Sequence, residues 1–374
     1  MNPQKYSDLR ERPRSKPWAR RRRRMLLGSL VLILAPIVFF AALRIIADRN
    51  FEARLEAIRA GGFPATPQEL QQWQIEEPSA HTPLLPDMAP EPVETSSSNG
   101  RTAVDLYQVA FKALAPQQIA FADAVKILDK YSKDNPLSPE DWMQLRDFVS
   151  TIPEVLALLH EAAALPPGRF PIDYSKGYAV ELPHLAGIRN IARTLRAEAL
   201  LAAHDGSRDD AFAAVMAGIA ASRPLRHEPI LISQLVRIAC NRILIDALSD
   251  TMGLVKYTET QLKQLQHAFD EAHYPLSLQN ALAGERVFAV AVCRDPAPVV
   301  GRTFLDDVVP GATDTLLRTA AATGWFNRDA NQCLAIFDEL VRASTLPYPE
   351  AACVFDRIGD RALQPTLVPR VSQI

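Results

Sequence analysis

The chain reads as an all-α protein, with one N-terminal membrane-spanning helix followed by a solenoid-like array of helical hairpins. Three observations predict this. Residues Met25 to Leu43 are nineteen consecutive positions without a charge, directly behind five arginines at 20–24. From Arg101 onward alanine and leucine recur at helical spacing, with no β-branched alternation that would require a strand. Between the two regions lies a proline-rich stretch that no regular element can occupy.

As a helix the apolar run is about 28 Å long, close to the roughly 30 Å hydrocarbon core of a bilayer. Residues 1–24 carry ten basic side chains and two acidic ones; a similar length after Leu43 carries four arginines (Arg44, Arg49, Arg54 and Arg59). That bias puts a basic cytoplasmic tail at 1–24 and a signal-anchor helix at 25–46, in a single-pass inner-membrane topology with everything beyond it extracytoplasmic. The rival reading is a cleaved twin-arginine signal at Arg22-Arg23-Arg24-Met25-Leu26. A long apolar run, a 24-residue leader and no clear small-x-small site weigh against it. The arginine run can be topogenic, touching anionic lipid, without a nucleic-acid partner. The chain is −2 overall and the tail is +8, so the remainder is −10. An acidic domain is a poor partner for nucleic acid.

Residues 47–100 read as a helical stalk and a linker. ADRNFEARLEAIRA, Ala47 to Ala60, extends the helix until Gly61-Gly62 stops it. Thr66-Pro67-Gln68-Glu69 is a capping box opening a short helix to Trp73. Seven prolines between Phe63 and Gly100, then SSSNG, predict an extended strap.

Residues 101–361 form the extracytoplasmic domain, and 362–374 a C-terminal tail. The spacing predicts helices near 101–114, 117–131, 139–149, 153–164, 184–204, 208–222, 229–252, 259–272, 276–293, 314–323, 328–343 and 348–360. Ser138 and Ser207 read as N-caps, Gly206 and Gly253 as stops. Ala199 to Ser222 is a helical hairpin turning at Gly206, with Ala211 where a small residue lets two helices approach. It resembles a tetratricopeptide hairpin, although most of that motif's aromatic positions and its 34-residue period are missing. Cys240, Cys293, Cys333 and Cys353 have no zinc or CxxC spacing and allow three pairings if oxidised; Cys240 sits in an apolar helix as a small core residue.

Four segments carry a wider resemblance: Leu156 to Gly177 (LALLHEAAALPPGRFPIDYSKG), His227 to Ala239 (HEPILISQLVRIA), ALAGER at Ala281 to Arg286 and LPYPEA at Leu346 to Ala351. The chain resembles, over most of residues 60–360, a set of uncharacterised bacterial membrane-anchored helical proteins. The resemblance implies fold and topology and no activity.

Chemical motifs are absent. His160-Glu161 lacks the second histidine of HExxH, and there is no GxSxG, P-loop, GxGxxG or EF-hand loop, so no cofactor or metal is expected. One constellation stands out by wheel geometry. Glu285 falls on the apolar face of its helix. Gln234, Arg237 and Asn241 cluster on a helix apolar nearly all round, which predicts a central buried helix, and Glu198 lies on an apolar side. Buried charges must pair, so Arg237 is expected to take Glu285, Glu198 or both. The cluster is either a structural network fixing helix register or an acid/base or ligand site. The loop 166–182, with Arg169, Asp173, Tyr174 and Lys176, is either a solvated connection or the lining of a groove. Two function classes follow: a non-catalytic scaffold offering a helical face to a protein or peptide of the envelope, or an envelope hydrolase of unfamiliar type using Glu285 and Arg237.

Overall fold

The computed structural model describes residues 38, 41, 45–46, 48–73, 100–132, 135–272, 276–294, 309–322 and 327–362. These are all-α: helices account for the regular structure, and the sole β feature among them is an isolated bridge between Ser132 and Asn135. The helices are α1 (48–60), α2 (Pro67–Gln72), α3 (Ala103–Leu114), α4 (Gln118–Lys130), α5 (Pro139–Ser150), α6 (Pro153–Ala163), α7 (Pro183–His204), α8 (Arg208–Ala221), α9 (Leu231–Met252), α10 (Glu259–Ala272), α11 (Ser277–Arg294), α12 (Ala312–Ala322), α13 (Asn327–Ala343) and α14 (Tyr348–Ala362). Every helix expected after Arg101 is present. Thr66 and Ser138 both cap their helices as expected, but of the two only Ser138 closes a full capping box; the Glu69 carboxylate accepts the Ala65 N–H at 2.9 Å in place of that of Thr66. The Thr66 hydroxyl accepts the Glu69 N–H at 3.2 Å, and the Ser138 hydroxyl accepts the Asp141 N–H at 3.1 Å. Gly206 closes the α7–α8 turn at φ 81°, where only glycine is unstrained. Gly253 instead ends α9 with ordinary right-handed torsions, and the Ser207 hydroxyl donates to Asp210 rather than accepting a backbone N–H.

α7 organises the main core. Ile188, Ile191, Leu195 and Leu200 are fully buried, and the helix packs on α3, α4, α5, α8 and α9. Its hairpin partner α8 faces it with alanines; Ala211, Ala214 and Ala221 have no exposed surface, which lets the two backbones approach closely.

A second core lies on α11. Phe51, Leu55 and Ile58, spaced by four and three, bury one face of α1 against Val290 and Cys293 of α11 and Ala330, Cys333 and Leu334 of α13. The Arg54 guanidinium donates to the Asn331 carbonyl at 3.1 Å. The helix expected as a stalk packs on the domain, because its apolar stripe finds a matching one.

The expectation that α9 is buried all round is corrected. Ile232, Leu235, Ile238, Ile245 and Met252 are 48–57% exposed, a stripe at helical spacing along one face. The helix enclosed on its sides is α11, which lies between α9 and α13. Among the described residues no helix is long and apolar enough to cross a membrane. The expected span at 25–46 falls almost entirely outside the described residues, and the strap at 75–100 does so up to residue 99.

Candidate functional site

Three of the four segments behind the resemblance meet at the connection 222–230 between α8 and α9. α11 crosses it so closely that a Cβ on Gly284 would lie 1.8 Å from the Pro229 carbonyl oxygen, so only glycine fits there. One residue on, Glu285 accepts the Leu231 N–H at 3.0 Å. That N–H is one of the orphan donors at the start of α9, whose own N-cap, Ile230, has no side chain to offer. The carboxylate also sits at the positive end of the α9 dipole. The Tyr178 hydroxyl lies near the same carboxylate and favours its ionised form, and the Tyr178 ring lies edge-on to Phe288 with centroids 5.6 Å apart. Burial raises the Glu285 carboxyl above its ordinary pKa, partly offset by these two groups.

Beneath the connection, Gln234 donates to the carbonyls of Leu225 and Glu228, both at 2.8 Å, and fixes its path. The Glu228 carboxylate, itself buried, holds His184 Nε2 at 3.0 and 3.2 Å. His184 stacks on Phe170 with ring centroids 4.3 Å apart, which couples the connection to the loop 169–174.

On one side of the connection is an open groove of about 480 Å³. Its walls are the end of α2 (Gln71, with Trp73), the loop residues Arg169, Asp173 and Tyr174, and Glu228. Gln71 clips the loop to α2: its side-chain oxygen accepts the Tyr174 N–H at 2.8 Å and its amide donates to the Ile172 carbonyl at 3.1 Å. Burial raises the Tyr174 phenol above its ordinary pKa. The loop candidates read from the sequence thus do line a groove.

On the other side is a smaller pocket of about 190 Å³, lined by Arg223, Arg226 and Arg237 with Ser222, Glu271 and Ala272. Here the expected Arg237–Glu285 pair is corrected. Arg237 is buried, at 5% exposure, yet the acceptors it uses are neutral. Nε donates to Gln234 at 2.8 Å, one Nη donates to the Ala272 carbonyl and the other donates to Ser277 at 2.9 Å. Ala272 is the last residue of α10, so the guanidinium caps that helix and faces the negative end of its dipole. Desolvation and the nearby Arg226 lower the Arg237 pKa. Arg237 and Glu285 each found a helix terminus instead of each other, and sequence spacing carries no signal for that.

The remaining candidates disperse. Asn241 accepts the Ser222 hydroxyl at 3.1 Å and stays apart from Arg237. Glu198 on α7 pairs with His160 Nε2 of α6 at 3.0 Å, which raises the imidazole pKa despite partial burial. Sequence reasoning missed three ties: the buried His184–Glu228, and the partly buried Arg196–Asp250 at 3.0 Å between α7 and α9 and Arg286–Asp338 at 3.1 Å between α11 and α13. Each joins residues 44 to 54 positions apart, beyond any local pattern. Among the described residues no cluster of three His, Cys, Asp or Glu side chains could hold a metal ion.

No protein-family model, curated protein or solved structure matches this chain.

Proposed function

We propose that the protein is a membrane-tethered, extracytoplasmic binding module. In this reading residues 25–46 anchor it as a single span with the N-terminus in the cytoplasm, and successive helical hairpins form a solenoid-like array outside. The hairpin α7–α8 supports the array; the contacts of α7 with α3 and α4 give it a bundled end. The groove of about 480 Å³ beside the connection 222–230 carries the functional reading, because Arg169, Asp173 and Tyr174 converge there with Trp73. An extended peptide of a protein partner is the occupant we assign. Aromatic and proline side chains (Trp73, Phe170, Tyr174, Pro171, Pro224) supply flat apolar contact, and Arg169, Asp173 and Glu228 supply polar ends for orientation. The hydrolase alternative has little support, since Arg237 and Glu285 do not meet and Glu285 lies outside both cavities.

Site-specific photocrosslinking in cells tests this. A photoreactive residue replacing Tyr174 should capture a defined protein, and one replacing the exposed Lys126 should not. Capture must fall when Trp73→Ala is added. Equal capture from both positions, or none from Tyr174, overturns the groove. Fusions of alkaline phosphatase and a cytoplasm-only fluorescent reporter to the C-terminus test the topology separately; a bright reporter with inactive phosphatase overturns it.

A further inference from the structure

We propose that Cys293 and Cys333 form a disulfide in the exported protein, stapling α11 to α13. The inference rests on the extracytoplasmic reading for its redox compartment and on the fold for its pairing. Of the three pairings open to four cysteines, the structure favours one. Cys293 and Cys333 lie in the same buried cluster, beneath the apolar face of α1, on the two helices α11 and α13 that pack on each other. Cys240 is buried in the other core, where desolvation pushes its thiol up to about 12, and Cys353 is exposed on α14.

The bond forms by ordinary thiol–disulfide exchange. The oxidant is a disulfide, either a small-molecule disulfide or that of an envelope thiol oxidase. The Cys293 thiolate attacks one of its sulfurs, forming a mixed disulfide and expelling the first thiol. Cys333 loses its proton and attacks the Cys293 sulfur; the S–S bond forms and the second thiol leaves. Two electrons from the cysteine pair reduce the oxidant to two thiols, which take up the two protons. Both residues are buried, so the exchange occurs during folding, before α13 seats on α11. The bond would fix the layer that receives α1, the first described helix after the expected anchor.

The test is mass spectrometry on full-length protein from cells lysed in an alkylating reagent. Tryptic peptides 287–294 and 329–342 should be recovered linked, with Cys240 and Cys353 alkylated once the protein is denatured. A link to Cys353 or Cys240 overturns the pairing. Full-length protein purified under reducing conditions, unfolded in denaturant and refolded with oxidised glutathione separates the two premises. If the bond forms there and both thiols are free in cells, the extracytoplasmic premise fails and the cellular disulfide with it. If it forms in neither, the geometry fails. The oxidised wild type should melt above the reduced one, and that difference should vanish in Cys333→Ala. If that variant does not fold, the peptide map of the wild type still decides.

Discussion

α9 and α11 reverse the roles that their compositions suggest. α9 is rich in isoleucine and leucine, yet it turns five large apolar side chains to the outside. α11 contains glycine, alanine and three charges, yet Ala281, Ala283 and Gly284 are buried within a helix flanked by α9 on one side and α13 on another. Small residues are what allow this, because a helix approached closely from several directions needs thin sides. Each helix also carries one buried arginine, and the two are held in opposite ways. Arg286 of α11 has a carboxylate, Asp338, and lies 5.7 Å from the Phe63 ring centroid, but its Nε and second Nη have no hydrogen-bond acceptor. Arg237 of α9 has an acceptor on all three nitrogens and no carboxylate among them. One site satisfies charge and the other satisfies hydrogen bonds. The second is sufficient because the end of α10 supplies a partial negative charge.

The difference can be broken most severely at Asp338. Asp338→Ala leaves Arg286 buried beside no opposite charge and should destabilise the domain by about 3–4 kcal/mol, read from denaturant melts. A loss under about 1 kcal/mol would show that the Phe63 ring and water suffice. Gly284→Ala comes next. The added methyl meets the backbone of Pro229, which cannot rotate away as a side chain would, so α9 and α11 must separate, at about 2–3 kcal/mol. The same measurement showing no loss would mean that the connection 222–230 yields freely.

Arg237→Met sharpens the contrast. Removing a buried cation that lacks a counter-ion strands only neutral acceptors, so the expected loss is about 1–2 kcal/mol, below that of Asp338→Ala. Combined with Glu285→Gln, the two losses should add to within about 0.5 kcal/mol, because the side chains share no contact. A coupling well above that value would restore the pair the helical wheel suggested.

The smallest effect is on pH dependence. Glu198 raises the His160 pKa above its ordinary 6.5, so the folded state binds the proton more tightly than the unfolded chain. The resulting stabilisation is complete below 6.5 and is lost as pH rises through the raised value. Melting temperature should therefore decline more steeply above pH 6.5 in the wild type than in His160→Gln. Identical slopes would mean that the pair contributes nothing measurable at this half-buried position.

Much of this fold was legible in the chain. Helix starts announce themselves through local chemistry, as at Ser138-Pro139 and Thr66-Pro67, where the donor and acceptor lie within four residues. The groove was half legible: Arg169, Asp173 and Tyr174 lie on a Pro- and Gly-flanked loop, which belongs on a surface. Nothing local indicated that Gln71 would clip that loop, or that His184 and Glu228, 44 residues apart, would couple it to the connection before α9.

What the sequence determined by itself is set by periodicity and short-range hydrogen bonding: the all-α class, the helix boundaries, the proline-rich interruption and the charge-free run behind the arginines. What the tertiary structure alone decided is which faces meet. A helical wheel locates an apolar or charged position on its own helix and says nothing about how many neighbours that helix has. α9 therefore looked central and is not, α1 showed an apolar stripe whose partners on α11 and α13 no wheel could name, and Arg237 and Glu285 looked like partners and are not. Their real partners, the last carbonyl of α10 and the first free N–H of α9, are backbone groups at helix ends. Every helix has such ends, so only packing determines which charge reaches which terminus.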